Sequence, residues 1–221
     1  DTSPGYVANV EEYDGTSWSE QADIPTAATD ICGIGIQTAG LACGGNAPAM
    51  QSAVNLYNGS AWTAETVMPA TRDEASGSGT STAGLITGGH SPGSTDNVTT
   101  TIEYDGTSWT DGGALPSAQA AAGYSKQGTQ SAALIFGGMT GPGAPTTVAT
   151  AAQYDGTAWT ATGSMGAAKR YLGCGGSSTA AFAACGMGAP PTKTITAEVF
   201  NQSLNVTTAG AWASGGTLGT G

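Results

Sequence analysis

Charge is scarce in this sequence, and positive charge most of all. Among 221 residues five are basic and 16 acidic, for a formal net charge of −11. Arg72, Lys126, Lys169, Arg170 and Lys193 are the only cations. Five cations in an acidic chain cannot neutralise a run of phosphates, which argues against general nucleic-acid binding. Long apolar runs are missing too: nothing approaches the roughly 18 consecutive apolar residues of a spanning helix, so no membrane insertion is expected. There is one histidine, His90, so a His-rich metal site or a Ser-His-Asp relay would rest entirely on it. No EF-hand or Asp-rich calcium repeat occurs, and neither a metal nor a cofactor is expected. Helical periodicity is absent throughout. Asp1 opens neither a basic leader nor a Met-initiated chain, and the sequence reads as a soluble protein processed or cut from something longer.

What the chain does have is repetition. Tyr13-Asp14-Gly15-Thr16-Ser17-Trp18 returns as Tyr57-Asn58-Gly59-Ser60-Ala61-Trp62, as Tyr104-Asp105-Gly106-Thr107-Ser108-Trp109, and as Tyr154-Asp155-Gly156-Thr157-Ala158-Trp159. A fifth, degenerate copy has Phe200 in the Tyr position and Trp212 in the Trp position, with a longer turn between. A second landmark lies between these copies: Leu41-Ala42-Cys43-Gly44-Gly45, Leu85-Ile86-Thr87-Gly88-Gly89, Leu134-Ile135-Phe136-Gly137-Gly138, and the weaker Phe182-Ala183-Ala184-Cys185-Gly186. Tryptophans recur every 44 to 53 residues, and each period divides into four short apolar or Thr-rich runs separated by turn residues. In the second repeat the runs fall near 73–80, 83–88, 98–104 and 108–113. Asp-Gly between the last two suits a tight hairpin, because glycine accepts a positive φ.

A four-stranded antiparallel unit with apolar surface on both faces must stack on its neighbours, and radial repetition closes such a stack. The expected fold is all-β: a β-propeller of about five four-stranded antiparallel blades. Residues 1–221 form one domain, divided into an incomplete blade at 1–25 and blades at 26–70, 71–116, 117–166 and 167–221. The chain enters at a third strand, so upstream sequence or a neighbouring chain is expected to complete the first blade, or the ring closes imperfectly. Innermost strands crowd the axis and need small residues; Gly35, Gly79 and Gly128 are read as equivalent there. With a double Gly ending the second strand, Tyr-Asp ending the third, Trp opening the fourth and then Pro25, Pro69 or Pro116, the chain resembles the Kelch repeat family over nearly its whole length. It also resembles a divergent Kelch-like class with a Tyr-Asp-Gly-Thr-x-Trp hairpin, found among phage and marine microbial virion proteins. The resemblance implies a propeller; such folds host scaffolds, adhesins and enzymes alike.

In a propeller the second-to-third and fourth-to-first strand loops share one face, and a rigid scaffold presents recognition there. The polar candidates on those loops are Arg72, Asp73, Glu74, His90, Asp96, Asn97, Lys169, Arg170 and Lys193. Arg72 and Arg170 align by repeat, opposite Ala28 and Ala121, and either contact a ligand or brace loop carbonyls. Cys32 and Cys43, like Cys174 and Cys185, stand eleven apart. Each pair would straddle a hairpin, either bridged as a disulfide or, with the register off by one, as free thiols filling cramped sites. The repeated Asp is a turn residue. The resulting expectation is a non-enzymatic binding or structural module on a virion or cell exterior, contacting protein or glycan through its loops as an assembly subunit or part of a larger chain. The competing readings are a fragment of a propeller enzyme acting on glycans and an intracellular Kelch scaffold.

Overall fold

A computed structural model describes residues 5–91, 97–141, 146–188, 192–202 and 211–217. Among these there is no helix. The chain begins with a two-stranded sheet, β1 (Val10–Tyr13) and β2 (Trp18–Gln21). Blade I follows: β3 (Cys32–Ile36), β4 (Ala39–Cys43), β5 (Val54–Tyr57) and β6 (Trp62–Ala64). Blade II is β7 (Ser76–Thr80), β8 (Ala83–Thr87), β9 (Thr101–Tyr104) and β10 (Trp109–Asp111). Blade III has β11 (Gly123–Tyr124) and β12 (Ala133–Phe136), a small ribbon of β13 (Met139–Thr140) and β14 (Thr146–Thr147), then β15 (Ala151–Tyr154) and β16 (Trp159–Thr162). Blade IV is β17 (Gly173–Gly176), β18 (Ala180–Ala184), β19 (Thr196–Asn201) and β20 (Ala211–Thr217). The four blades are antiparallel meanders in strand order. Their first strands touch one another, β3 on β7, β7 on β11 and β11 on β17, and so surround the axis. The chain is a β-propeller, with four complete blades and a two-stranded sheet where about five blades were expected.

Every hairpin between third and fourth strands is built the same way. Tyr13 pairs with Trp18, Tyr57 with Trp62, Tyr104 with Trp109, Tyr154 with Trp159, and Phe200 with Trp212. The first four connections therefore span four residues, not the two of the tight hairpin that Asp-Gly suggests. The aspartate makes the longer loop stable by taking up amides that the strands leave unpaired. Asp105 Oδ1 accepts N–H groups of Thr107 at 2.8 Å and Ser108 at 2.7 Å, and Asp14, Asn58 and Asp155 do likewise. The following glycine has φ between 92° and 99° in all four loops.

The core is divided among the joints between blades. Leu41, Cys43, Val54 and Met68 of blade I pack on Ile86, Ile102 and Tyr104 of blade II. Leu85 and Leu115 then meet Ile135, Tyr154 and Trp159, and Leu134, Phe136 and Met165 meet Ala181, Ala183 and Phe200. Second strands are apolar on both faces because successive side chains serve opposite joints, Leu85 forward and Ile86 backward. Three indole N–H groups also reach the preceding unit: Trp62 donates to Ala22 O, Trp109 to Thr66 O and Trp159 to Thr101 Oγ1, all at 2.9 Å. The two-stranded sheet is thereby docked on blade I. Tyr13 and Trp18, on its other side, are 47% and 67% exposed, whereas Tyr57, Tyr104 and Tyr154 are buried.

Two outcomes follow from these contacts. Leu134→Ala opens a cavity at a joint with no exposed neighbour to fill it, and should cost about 3 kcal/mol in denaturant unfolding. Asp14, Asp105 and Asp155 are held below the ordinary aspartate range by the backbone amides they accept. A lowered folded pKa gives stability that is present at neutral pH and is lost as pH falls through the folded values. Replacing all three by Asn, the residue at position 58, keeps the acceptor and removes the titration. The melting temperature of that variant should fall less steeply in acid than that of the parent.

Candidate functional site

The loop preceding each first strand sets the geometry of the axis. Asp30, Glu74, Ala121 and Tyr171 occupy the same place in blades I to IV, and each has a left-handed backbone, with φ of 57°, 50°, 51° and 51°. Such a conformation is costly for a side chain with a Cβ. It persists because it turns the amide toward the neighbouring blade: Glu74 N donates to Asp30 O at 3.2 Å, Ala121 N to Glu74 O at 3.0 Å, and Tyr171 N to Ala121 O at 3.0 Å. This chain of peptide hydrogen bonds rims the mouth of a channel along the axis.

With these four residues aligned, the repeat register becomes unambiguous. Two residues earlier stand Ala28, Arg72, Gln119 and Lys169, so Lys169 and not Arg170 is the counterpart of Arg72, and Gln119 rather than Ala121 fills the place in blade III. These three long side chains do one job, satisfying carbonyls inside their own blade. Arg72 donates to Gly88 O, Thr100 O and Thr100 Oγ1, and Gln119 to Gly137 O and Thr150 Oγ1. Lys169 donates to Thr196 O and pairs with Glu198 at 3.0 Å, wholly buried. Arg170 donates to Met139 Sδ and lies 5.7 Å from the Tyr171 ring. Asn97 is buried with its amide on Met139 O, and Lys193 is exposed, bridged through its backbone to Met187. Asp96 lies outside the described residues.

Four of the sequence candidates thus brace the scaffold, and three gather at the channel mouth. His90 Nδ1 lies 3.2 Å from Asp73 Oδ1 and 3.3 Å from Glu74 Oε2. Asp73 also accepts from Asn46 Nδ2, tying blades I and II. The Tyr171 hydroxyl donates to Glu74 Oε1, reaching from blade IV to blade II across the channel. Its hydrogen bond to Asp73, with lesser help from Glu74, raises the pKa of His90, and burial raises that of Glu74.

Below the rim the channel opens into two chambers of about 190 and 210 Å³. Asp30, Glu74 and Tyr171 line the upper one, and glycines of β3 and β7 with Ser78 line the lower one. Tyr124 and Lys126 line both, the ammonium lying 5.4 Å from the centre of the phenol ring. Neither was singled out as a ligand residue from the sequence. The signal was there in the repeat: Tyr124 stands where the other blades have Gly33, Gly77 and Cys174, and Lys126 follows it in a two-residue insertion that the other first strands lack. Gly128 is the third equivalent of Gly35 and Gly79, as expected from the sequence: the Thr129–Ala132 bridge sets it opposite Ala133, as Gly79 is opposite Gly84. The two extra residues of blade III, Lys126 and Gln127, lie between Ser125 and Gly128.

The cysteines follow the same corrected register. All four are free thiols. Cys32 faces Cys43 directly across β3 and β4, but Cys174 faces Ala183, so the second pair sits one residue out of step. Burial pushes the Cys32 thiol up to about 12 and Cys43 well above the ordinary thiol range, which leaves both as inert packing groups. Cys185 takes the place of the first glycine of the double Gly, with φ of 55°.

No family model matches the chain, and no curated protein is significantly similar to it. The structure is similar to solved ones, among them that of YjhT, with a TM-score of 0.74 at 13% identity over 91% of this chain and 68% of that one. At this identity the likeness establishes the fold alone.

The histidine provides a direct check on the mouth. In an NMR titration His90 should ionise above the ordinary histidine value, and Asp73→Asn should lower its pKa again. Since a raised folded pKa favours the protonated state, the stability it lends is greatest in mild acid and is lost as pH rises through that value.

Proposed function

We propose that this chain is a non-catalytic binding module whose contact surface is the loop face around the channel mouth, and that its partner is a glycan or a glycosylated protein. The observation that carries this reading is the grouping of a half-exposed tyrosine, Tyr171, with the carboxylates of Asp30 and Glu74 on a rim held by hydrogen bonds. Carboxylates accept hydrogen bonds from sugar hydroxyls, while a phenol ring offers a flat apolar face to the C–H side of a pyranose. A rim fixed by peptide hydrogen bonds loses little entropy on binding. His90, the one imidazole, is placed between two carboxylates and is used in holding loops together.

The Tyr-Asp-Gly-Thr-x-Trp hairpins and the scarcity of lysine favour a Kelch-like propeller of the virion type, displayed on a particle or cell exterior. There, weak single contacts act together through avidity. Purified protein on beads should be retained by host-envelope glycans, and Tyr171→Ala should weaken retention about tenfold, as loss of one stacking aromatic implies. Retention unchanged by Tyr171→Ala, or none on host glycans, cells or virion components, rejects the proposal.

A further inference from the structure

The axial channel carries charge in an arrangement the scaffold does not need. All four blades place glycine at the crowded end of the first strand, Gly35, Gly79, Gly128 and Gly176, and blade III alone inserts two residues ahead of it, Lys126 and Gln127, so that Lys126 and Tyr124 reach the channel. Among the described residues no carboxylate forms an ion pair with Lys126, although the chain has 16 acidic residues to its five basic ones. Arg72 and Lys169 are spent on carbonyls within their blades. Lys126 instead stands over the Tyr124 ring at the junction of the two chambers. No acidic residue lines the lower chamber, which is walled by glycine backbone and Ser78. The acids are at the other end, where Asp30 and Glu74 line the upper chamber beneath the mouth.

From this polarity we propose that the channel binds a small zwitterion of the amino-acid type, its carboxylate at Lys126 and its ammonium at Asp30 and Glu74. A simple anion entering from the loop face is repelled by the acids at the rim, and a simple cation by the ammonium below them. A ligand with both charges meets an opposite charge at each end. Chambers of about 190 and 210 Å³ are below the usual range for drug-sized pockets and restrict the ligand to a short chain. Tyr171, whose phenol crosses to Glu74, lies over the entrance. This inference shares Asp30 and Glu74 with the glycan reading and adds Lys126, so Lys126→Gln tests it while retention on glycans tests the other.

The test uses the whole chain and three probes, aminocaproate with its single-charge analogues caproate and hexylamine, followed by calorimetry and by amide shifts of residues 124–126. Aminocaproate should bind about tenfold more tightly than either analogue. Lys126→Gln should erase its advantage over hexylamine, and Glu74→Gln combined with Asp30→Asn its advantage over caproate. Lys126 and Asp30 are exposed, while Glu74 also holds Tyr171 and His90, so an unchanged melting temperature is required of each variant. Absence of binding at millimolar aminocaproate, equal binding of caproate, or insensitivity to Lys126→Gln overturns the proposal.

Discussion

The joint between consecutive blades is fixed by a carbonyl pressed against a glycine. A Cβ on Gly44 would come within 2.2 Å of Arg72 O, one on Gly88 within 2.3 Å of Gln119 O, and one on Gly137 within 2.5 Å of Lys169 O. The next glycine then donates its amide to that same carbonyl, at 2.8, 2.8 and 2.7 Å. Two glycines are needed in succession because both adopt positive φ and the first has no room for a side chain. At the fourth copy, where no following blade is described, the first position holds Cys185. The close approach of these loops is what aligns Asp30, Glu74, Ala121 and Tyr171 into the rim, and the rim defines the channel.

Outside this contact the joints are adjustable, and the adjustments are paired. Tyr154 donates to Glu103 at 2.6 Å, and burial followed by that carboxylate raises the phenol to about 12. Burial, and after it the nearby Glu12 carboxylate, raises the Tyr57 phenol too, without a hydrogen bond of that kind. Where the residue before the tyrosine is Leu56, the carboxylate for Tyr104 comes from Glu65 on the neighbouring strand. Where the aromatic is Phe200, a ring with no hydroxyl, the preceding blade offers Gln153, whose amide turns to Ser178 O and Gln202. A buried phenol and a carboxylate are kept or replaced together, because either one alone would be a desolvated polar group without compensation.

The same economy governs the cations. An acidic chain with few basic residues commits Arg72 to two carbonyls and a hydroxyl, and Lys169 to one carbonyl and Glu198, inside the blades. Tyr171 and the acids Asp30 and Glu74 stay at the rim, and Lys126 with Tyr124 lines the channel below them.

The strand order, the blade period and the pairing of each Tyr or Phe with its Trp could be read directly from the sequence, because the signals are local: turn residues, alternation and a hairpin motif repeated within a few positions. The double glycine was visible as a landmark, though not its cause, which is a carbonyl some thirty residues away in the chain. The equivalence of Lys169 with Arg72, the one-residue offset of Cys174 and Cys185, and the place of Lys126 in an insertion depended on the tertiary structure. Each is a matter of one or two residues of register around insertions, and only the packing of one blade on the next fixes that register.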